Sequence, residues 1–248
     1  MSDTSVADRT LPAHPISDRD FASVQRYVDA IVDRMAEHHL SVVIERDFLA
    51  LYNFLKSRRG AFVYPTFNPY ESNLGRESFW LRVVDADGTT VASHAQRVFV
   101  VDDFCTLIRS GSLWFALGTP MDPERTELIA PGTALSGCVA HAGSLWVDPE
   151  HRKKGLSVWL PYLSRLACLR NYSPDYFTAL VFEKMAMSGV PAKFYGYTHV
   201  EPILRGFFPP TATEEHVFLC YMNCRDAVDK IRLLAVHPEY PVDPDQPV

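Results

Sequence analysis

Residues 143–160 read Gly-Ser-Leu-Trp-Val-Asp-Pro-Glu-His-Arg-Lys-Lys-Gly-Leu-Ser-Val-Trp-Leu. An apolar strand runs out at Val147, turns at Asp148-Pro149, crosses a basic loop and enters a helix at Gly155. A strand that delivers the chain into a helix start across a glycine loop restricts the fold to α/β classes. The first amides of a helix lack intrahelical partners, and the helix dipole favours negative charge beside them. This stretch is therefore a place to hold a phosphorylated ligand. The run His151-Arg152-Lys153-Lys154 stands out because the whole chain carries a formal charge of -6. That acidic balance argues against a general nucleic-acid binder, which would be basic.

The flanking elements follow from periodicity. Val24, Val28, Ile31 and Met35 repeat at helical spacing after Phe21, with Ser17 as the N-cap and a stop near His39. A short strand is expected over 40–45 and a helix over 47–59. Residues 62–70 form an aromatic, proline-rich loop that either binds or packs over a sheet edge. Two apolar strands over 79–85 and 89–101 are joined by Asp85-Ala-Asp-Gly88, a hairpin signal. Residues 102–137 are irregular, with a short helix at 103–109. Strands are expected over Gly137–Val147, Tyr176–Phe182 and 215–222, and helices over 156–170, 183–195 and Cys224–Val236. Pro161 lies beyond the first turn of its helix, so a kink or a distinct first turn is expected there.

At 248 residues the chain can bury a large core, and 47% apolar with 22% charged residues fits a soluble globular protein. Five scattered cysteines show no metal-ligand spacing; Cys220 and Cys224 have no second pair. They read as reduced thiols, with no metal site implied. The polar start has no secretory pattern and no stretch matches a membrane helix, so a cytoplasmic location is expected. Organisation reads as an N-terminal extension with an amphipathic helix (1–39), a main domain (40–236) with an insertion at about 102–137, and a flexible tail (237–248) holding four prolines.

Residues 145–157 resemble the acyl-CoA binding motif of the GNAT N-acyltransferase superfamily. That motif is Arg or Gln, two residues, Gly, one residue, then Gly or Ala; here it falls on Arg152, Gly155 and Ser157, with serine at the last place. Serine is small enough to keep its amide accessible. The order of elements over about 40–223 resembles the family core as well. The resemblance implies an α/β (α+β mixed) fold, a central mixed, mostly antiparallel sheet flanked by helices. It implies acetyl-CoA or another acyl-CoA as co-substrate and an amine as acceptor. The amides and side chains of Arg152, Lys153, Lys154, Gly155, Leu156 and Ser157 would hold the CoA pyrophosphate. The strand edge at Leu145 and Val147 would pair with the pantetheine arm.

For catalysis the resemblance implies a base on the fourth strand or its neighbour, which points to His141 and then to Glu183. It implies a tyrosine acid near the end of the next helix. Tyr195 stands there, but closer to Gly196 than the family places it, and Tyr197 is the alternative. A partly buried strand histidine and a packed helix-end tyrosine are the ordinary readings of the same residues. The function expected is transfer of an acetyl or longer acyl group from CoA to the amine of a small molecule or amino-acid derivative. A non-catalytic CoA-binding module and a protein lysine acetyltransferase remain open, as does a homodimer. No GxSxG, GxxxxGK[ST] or GxGxxG motif occurs.

Overall fold

A computed structural model describes residues 18–236. In chain order the elements are α1 (Asp18–Glu37), β1 (Ser41–Glu45), α2 (Phe48–Lys56), β2 (Phe79–Val84), β3 (Thr90–Val101), α3 (Phe104–Arg109), β4 (Thr126–Leu128), β5 (Gly137–Val147), α4 (Leu156–Asn171), β6 (Tyr176–Phe182), α5 (Glu183–Met187), α6 (Val190–Lys193), β7 (His199–Phe208), β8 (Thr213–Asn223) and α7 (Cys224–Val236). A 3-10 turn at Pro65–Phe67 sits in the aromatic loop. The N-cap expected at Ser17 and the 1–16 and 237–248 segments lie outside the described residues.

All strands join one sheet in the order β1-β2-β3-β5-β6-β8-β7-β4. Every neighbouring pair is antiparallel except β5–β6. This is the mixed, mostly antiparallel sheet expected. The β2–β3 hairpin closes where the Asp85 carboxylate accepts from the Asp87 and Thr89 amides, at 3.0 and 2.8 Å. Asp47 caps α2 by accepting from the Leu49 and Ala50 amides.

The two faces of the sheet are covered differently. On the rear, Val24, Tyr27, Ile31 and Met35 of α1 pack with α4 and α7 against Leu81, Val83, Ala92 and Ala140. The 3.6-residue stripe in the sequence is thus the buried face of α1. On the front, α2 and the aromatic loop cover β2–β3 through Phe48, Leu51, Leu55, Phe67 and Trp80. The 102–137 segment covers the rest, driving Phe104, Ile108, Leu113 and Trp114 onto Val139, Leu204, Phe208 and Leu219. Its three-residue strand β4 pairs with β7, so it extends the sheet edge.

Two expectations are corrected. The helix over 183–195 is two short helices, because Gly189 adopts φ 72 and breaks it before Pro191. The distinct first turn is not found: α4 runs as one α-helix from Leu156 to Asn171 with Pro161 inside it. Proline leaves the carbonyl four residues earlier without its helical donor. That carbonyl belongs to Ser157, at the open end of the helix, where the cost is small. Strand β7 goes unread in the sequence because Pro202 and Gly206 interrupt it. The structure absorbs Pro202 at a register shift, and Gly206 (φ 114) lets the Arg125 carbonyl approach.

Candidate functional site

The site grows from a defect in pairing. Strands β5 and β6 pair only from Val139–Tyr176 to Ala142–Ala179, yet β5 continues to Val147 and β6 to Phe182. Beyond Ala142 the two strands part. On its other side β5 is bulged. Between the pairs Ser93–Trp146 and Ala95–Gly143, it sets Ser144 and Leu145 opposite the single residue His94. Ser144 takes φ 50 to do so. A bulge re-aims side chains and leaves backbone groups unpaired next to binding sites.

The gap is a groove of about 580 Å³. One wall is residues 144–147 of β5 and the other is residues 179–182 of β6. Arg152, Lys153, Leu156, Ser157 and Pro161 close one end, and Met185, Tyr195 and Tyr197 close the rear. At the loop end, Gly155 (φ 77) starts α4 in a left-handed conformation, and its carbonyl takes the Val158 and Trp159 amides at 2.9 and 3.0 Å. The Leu156 and Ser157 amides come before those bonds and have no helical partner. Lys153 is also left-handed (φ 67). Such turns make concavities of backbone N–H groups that suit anions. A Cβ on Gly155 would fall 2.6 Å from the Trp159 indole, so glycine is needed for packing as well as for φ.

Of the residues expected to bind CoA, Leu145, Val147, Arg152, Lys153, Leu156 and Ser157 line the groove. Lys154 and Gly155 do not; Gly155 acts by shaping the helix start. Tyr195 and Tyr197 both line the groove. Burial and the neighbouring Tyr197 push the Tyr195 phenol up to about 12, so it is protonated at neutral pH.

His141 is elsewhere. It points to the front face and lines a second, smaller pocket of about 30 Å³. The two spaces share Tyr64, Ala142, Gly143, Leu180, Val181 and Phe182. The His141 ring stacks on Phe67 at 6.3 Å, and Nδ1 lies 3.0 Å from the Thr178 hydroxyl. Burial, then the charge of Arg97, lowers its pKa to about 3, so the ring is neutral. Glu183 lies in neither space. It is exposed at the start of α5 and meets His216 Nδ1 at 3.1 Å on the rim beside Phe182.

The aromatic loop packs and lines the site at once. Phe67 reaches β5 because position 143 is glycine; a Cβ there would meet its ring at 2.4 Å. Arg97 anchors the loop from β3, donating to the Thr66 and Asn73 carbonyls at 2.9 Å each and to Leu113 at 3.3 Å. Tyr64 then sits at the junction of groove and pocket, stacked on Phe182 at 6.3 Å. Sequence reasoning missed His94, which lines the groove; a lone histidine in an apolar strand was the available signal. Among the described residues no helix is long and apolar enough to cross a membrane.

No family model matches the sequence, and no curated protein matches it. Solved structures do resemble it. A Vibrio cholerae SpeG spermidine N-acetyltransferase chimera with hSSAT aligns over 77% of this chain and 99% of its own, at 12% identity and TM-score 0.49. Arabidopsis thaliana NAA60 in complex with acetyl-CoA aligns over 75% and 99%, at 10% identity and TM-score 0.48. The ribosomal-protein alanine N-acetyltransferase of Escherichia coli aligns over 74% and 93%, at 14% identity and TM-score 0.44. The chain's own sheet, with its single splayed parallel pair, its bulged β5 and its basic loop into α4, is the mixed, mostly antiparallel sheet flanked by helices that the sequence led one to expect.

Proposed function

We propose that this protein is an acyl-CoA-dependent N-acyltransferase that moves an acyl group from CoA to the amine of a small molecule or amino-acid derivative. The observation that carries this reading is the continuity of the groove. It starts at the amides and cations of Arg152–Ser157 and runs into the gap between β5 and β6. A pyrophosphate needs converging N–H donors and positive charge, and the loop end offers both. The exposed edge of β5 offers backbone groups to the amide-bearing pantetheine arm. The thioester then lies near the shared wall of groove and front pocket.

The acceptor enters from the front, where Tyr64, Phe67 and His141 line the small pocket. His141 is neutral and accepts a hydrogen bond from the attacking amine, orienting its lone pair toward the thioester carbonyl. The C–N bond forms at the thioester carbonyl, the C–S bond breaks, and the departing thiolate takes a proton. Tyr195 serves as that acid, since it is a protonated phenol on the groove wall. Glu183, exposed and bonded to His216, is better placed to meet an incoming ammonium than to take its proton in the pocket.

Turnover with a panel of primary amines tests the proposal. Release of free CoA thiol that depends on the amine, with the N-acyl product seen by mass spectrometry, is the expected result. Tight acyl-CoA binding with no product from any amine would instead leave a CoA-binding module.

A further inference from the structure

The rear of the groove holds more unsatisfied polarity than a plain hydrocarbon chain can use. His94 lines it, is 4% exposed, and its Nδ1 has no partner. Gln96, two residues on, is fully buried with both Nε2 and Oε1 unpartnered. The two face the same way, paired across β2–β3 with Leu81 and Phe79 of the rear core. On α4, near enough to His94 for its charge to act on that ring, is Arg165, 2% exposed, with Nη2 unpartnered. Its Nη1 donates to the Tyr195 carbonyl, and its guanidinium lies 4.4 Å from the Tyr197 ring, directly behind two residues of the groove wall. Native interiors pair such atoms, so each of these needs an explanation.

Charge narrows the choice. Among the described residues no carboxylate forms an ion pair with Arg165. Arg97, the buried cation on the front, has three carbonyl acceptors, whereas Arg165 has one carbonyl and the Tyr197 hydroxyl, and its Nη2 stays unpartnered. His94 does not add a second charge: burial, then Arg165, lowers its pKa to about 3. A buried guanidinium with spare donors and no counter-ion calls for an anion with its own acceptors.

Building on the acyl-CoA reading, we infer that the rear of the groove, lined by His94 and backed by the buried Gln96 and Arg165, binds a carboxylate carried by the acyl group itself, so that the donor is a short dicarboxylic acyl-CoA. The pyrophosphate takes the Arg152–Ser157 end. The thioester lies at the bulge opposite His94. The free carboxylate passes between the parted strands toward α4.

Calorimetry on the purified full chain tests this with length-matched donors: butyryl-CoA against succinyl-CoA, and pentanoyl-CoA against glutaryl-CoA, with CoA alone as reference. At least one dicarboxylic donor should bind ten-fold or more tightly than its alkyl counterpart. In Arg165→Met the preference should fall to parity, and in Gln96→Leu it should shrink; CoA binding by the same samples reports that each variant is folded. Parity or alkyl preference in the unmodified protein, with CoA still bound, would overturn the inference and leave the rear to buried water. Failure of CoA and every thioester to bind would defeat the donor reading too, and so the two failures are told apart.

Discussion

A glutamate at position 157 would set a carboxylate among the free amides at the start of α4. Negative charge there suits the helix dipole, so Ser157→Glu should fold as well as the parent. It should also repel a pyrophosphate from the groove end that Ser157 lines. CoA affinity should fall at least roughly ten-fold, about 1.4 kcal/mol, in a titration. Affinity unchanged by the variant would place the pyrophosphate elsewhere. An aspartate at Gly155 is a poorer test, because φ 77 and the Trp159 contact make any side chain there costly to the fold itself. For Tyr195→Phe, which keeps the ring and removes the proton, kcat should fall on the order of 100-fold with KM for acyl-CoA little changed. An equal kcat would show that the thiolate takes its proton from another group. His141 has its own signature. With a pKa held near 3 by burial and Arg97, it should put no inflection between pH 5 and 8 into the rate profile, while His141→Ala lowers kcat throughout that range.

Elements show why the site stands where it does. The aromatic loop reaches β5 only through the space at Gly143, occupied by the Phe67 ring. Gly143→Ala should therefore cost about 1–3 kcal/mol by overpacking. Amide exchange should speed up mainly over residues 62–70, the segment displaced; uniform acceleration across the sheet would argue against this local role. How well the elements could be read depended on how regular their surroundings are. Strands β5 and β6 match their sequence readings at both ends, since their apolar runs stop at turn or capping residues. The basic loop into α4 was equally legible as a local shape, because Arg152, Gly155 and Ser157 belong to one stretch. His94 was not read as a site residue, and Tyr64 only as part of the 62–70 loop. Each owes its place to contacts far away in sequence: the β5 bulge for one, and the Gly143–Phe67 contact for the other. The 102–137 segment looked irregular because its order comes from the sheet it covers and not from an internal period.

At the scale of the molecule, two buried histidines set the response to acid. His94 and His141 have pKa values near 3, against an ordinary value of 6.5. The unfolded chain therefore binds protons between those limits that the folded chain refuses, and stability rises with pH there. Their contribution is fully present above about pH 6.5 and is lost as pH falls toward 3. Each histidine adds a slope of up to about 1.4 kcal/mol per pH unit within that window. Urea melts at pH 7, 6, 5 and 4 should show a falling midpoint, less steep in His94→Gln than in the parent. A flat midpoint over this range would mean that the two rings protonate freely in the folded state. The whole arrangement, a sheet parted at one seam with a cationic loop at its mouth, makes sense if the seam holds CoA. Native mass spectrometry of the full chain with CoA and a series of acyl-CoAs tests that most directly. One bound nucleotide per chain, reduced in Ser157→Glu, is the predicted result; folded protein that carries no CoA adduct at any chain length would contradict it.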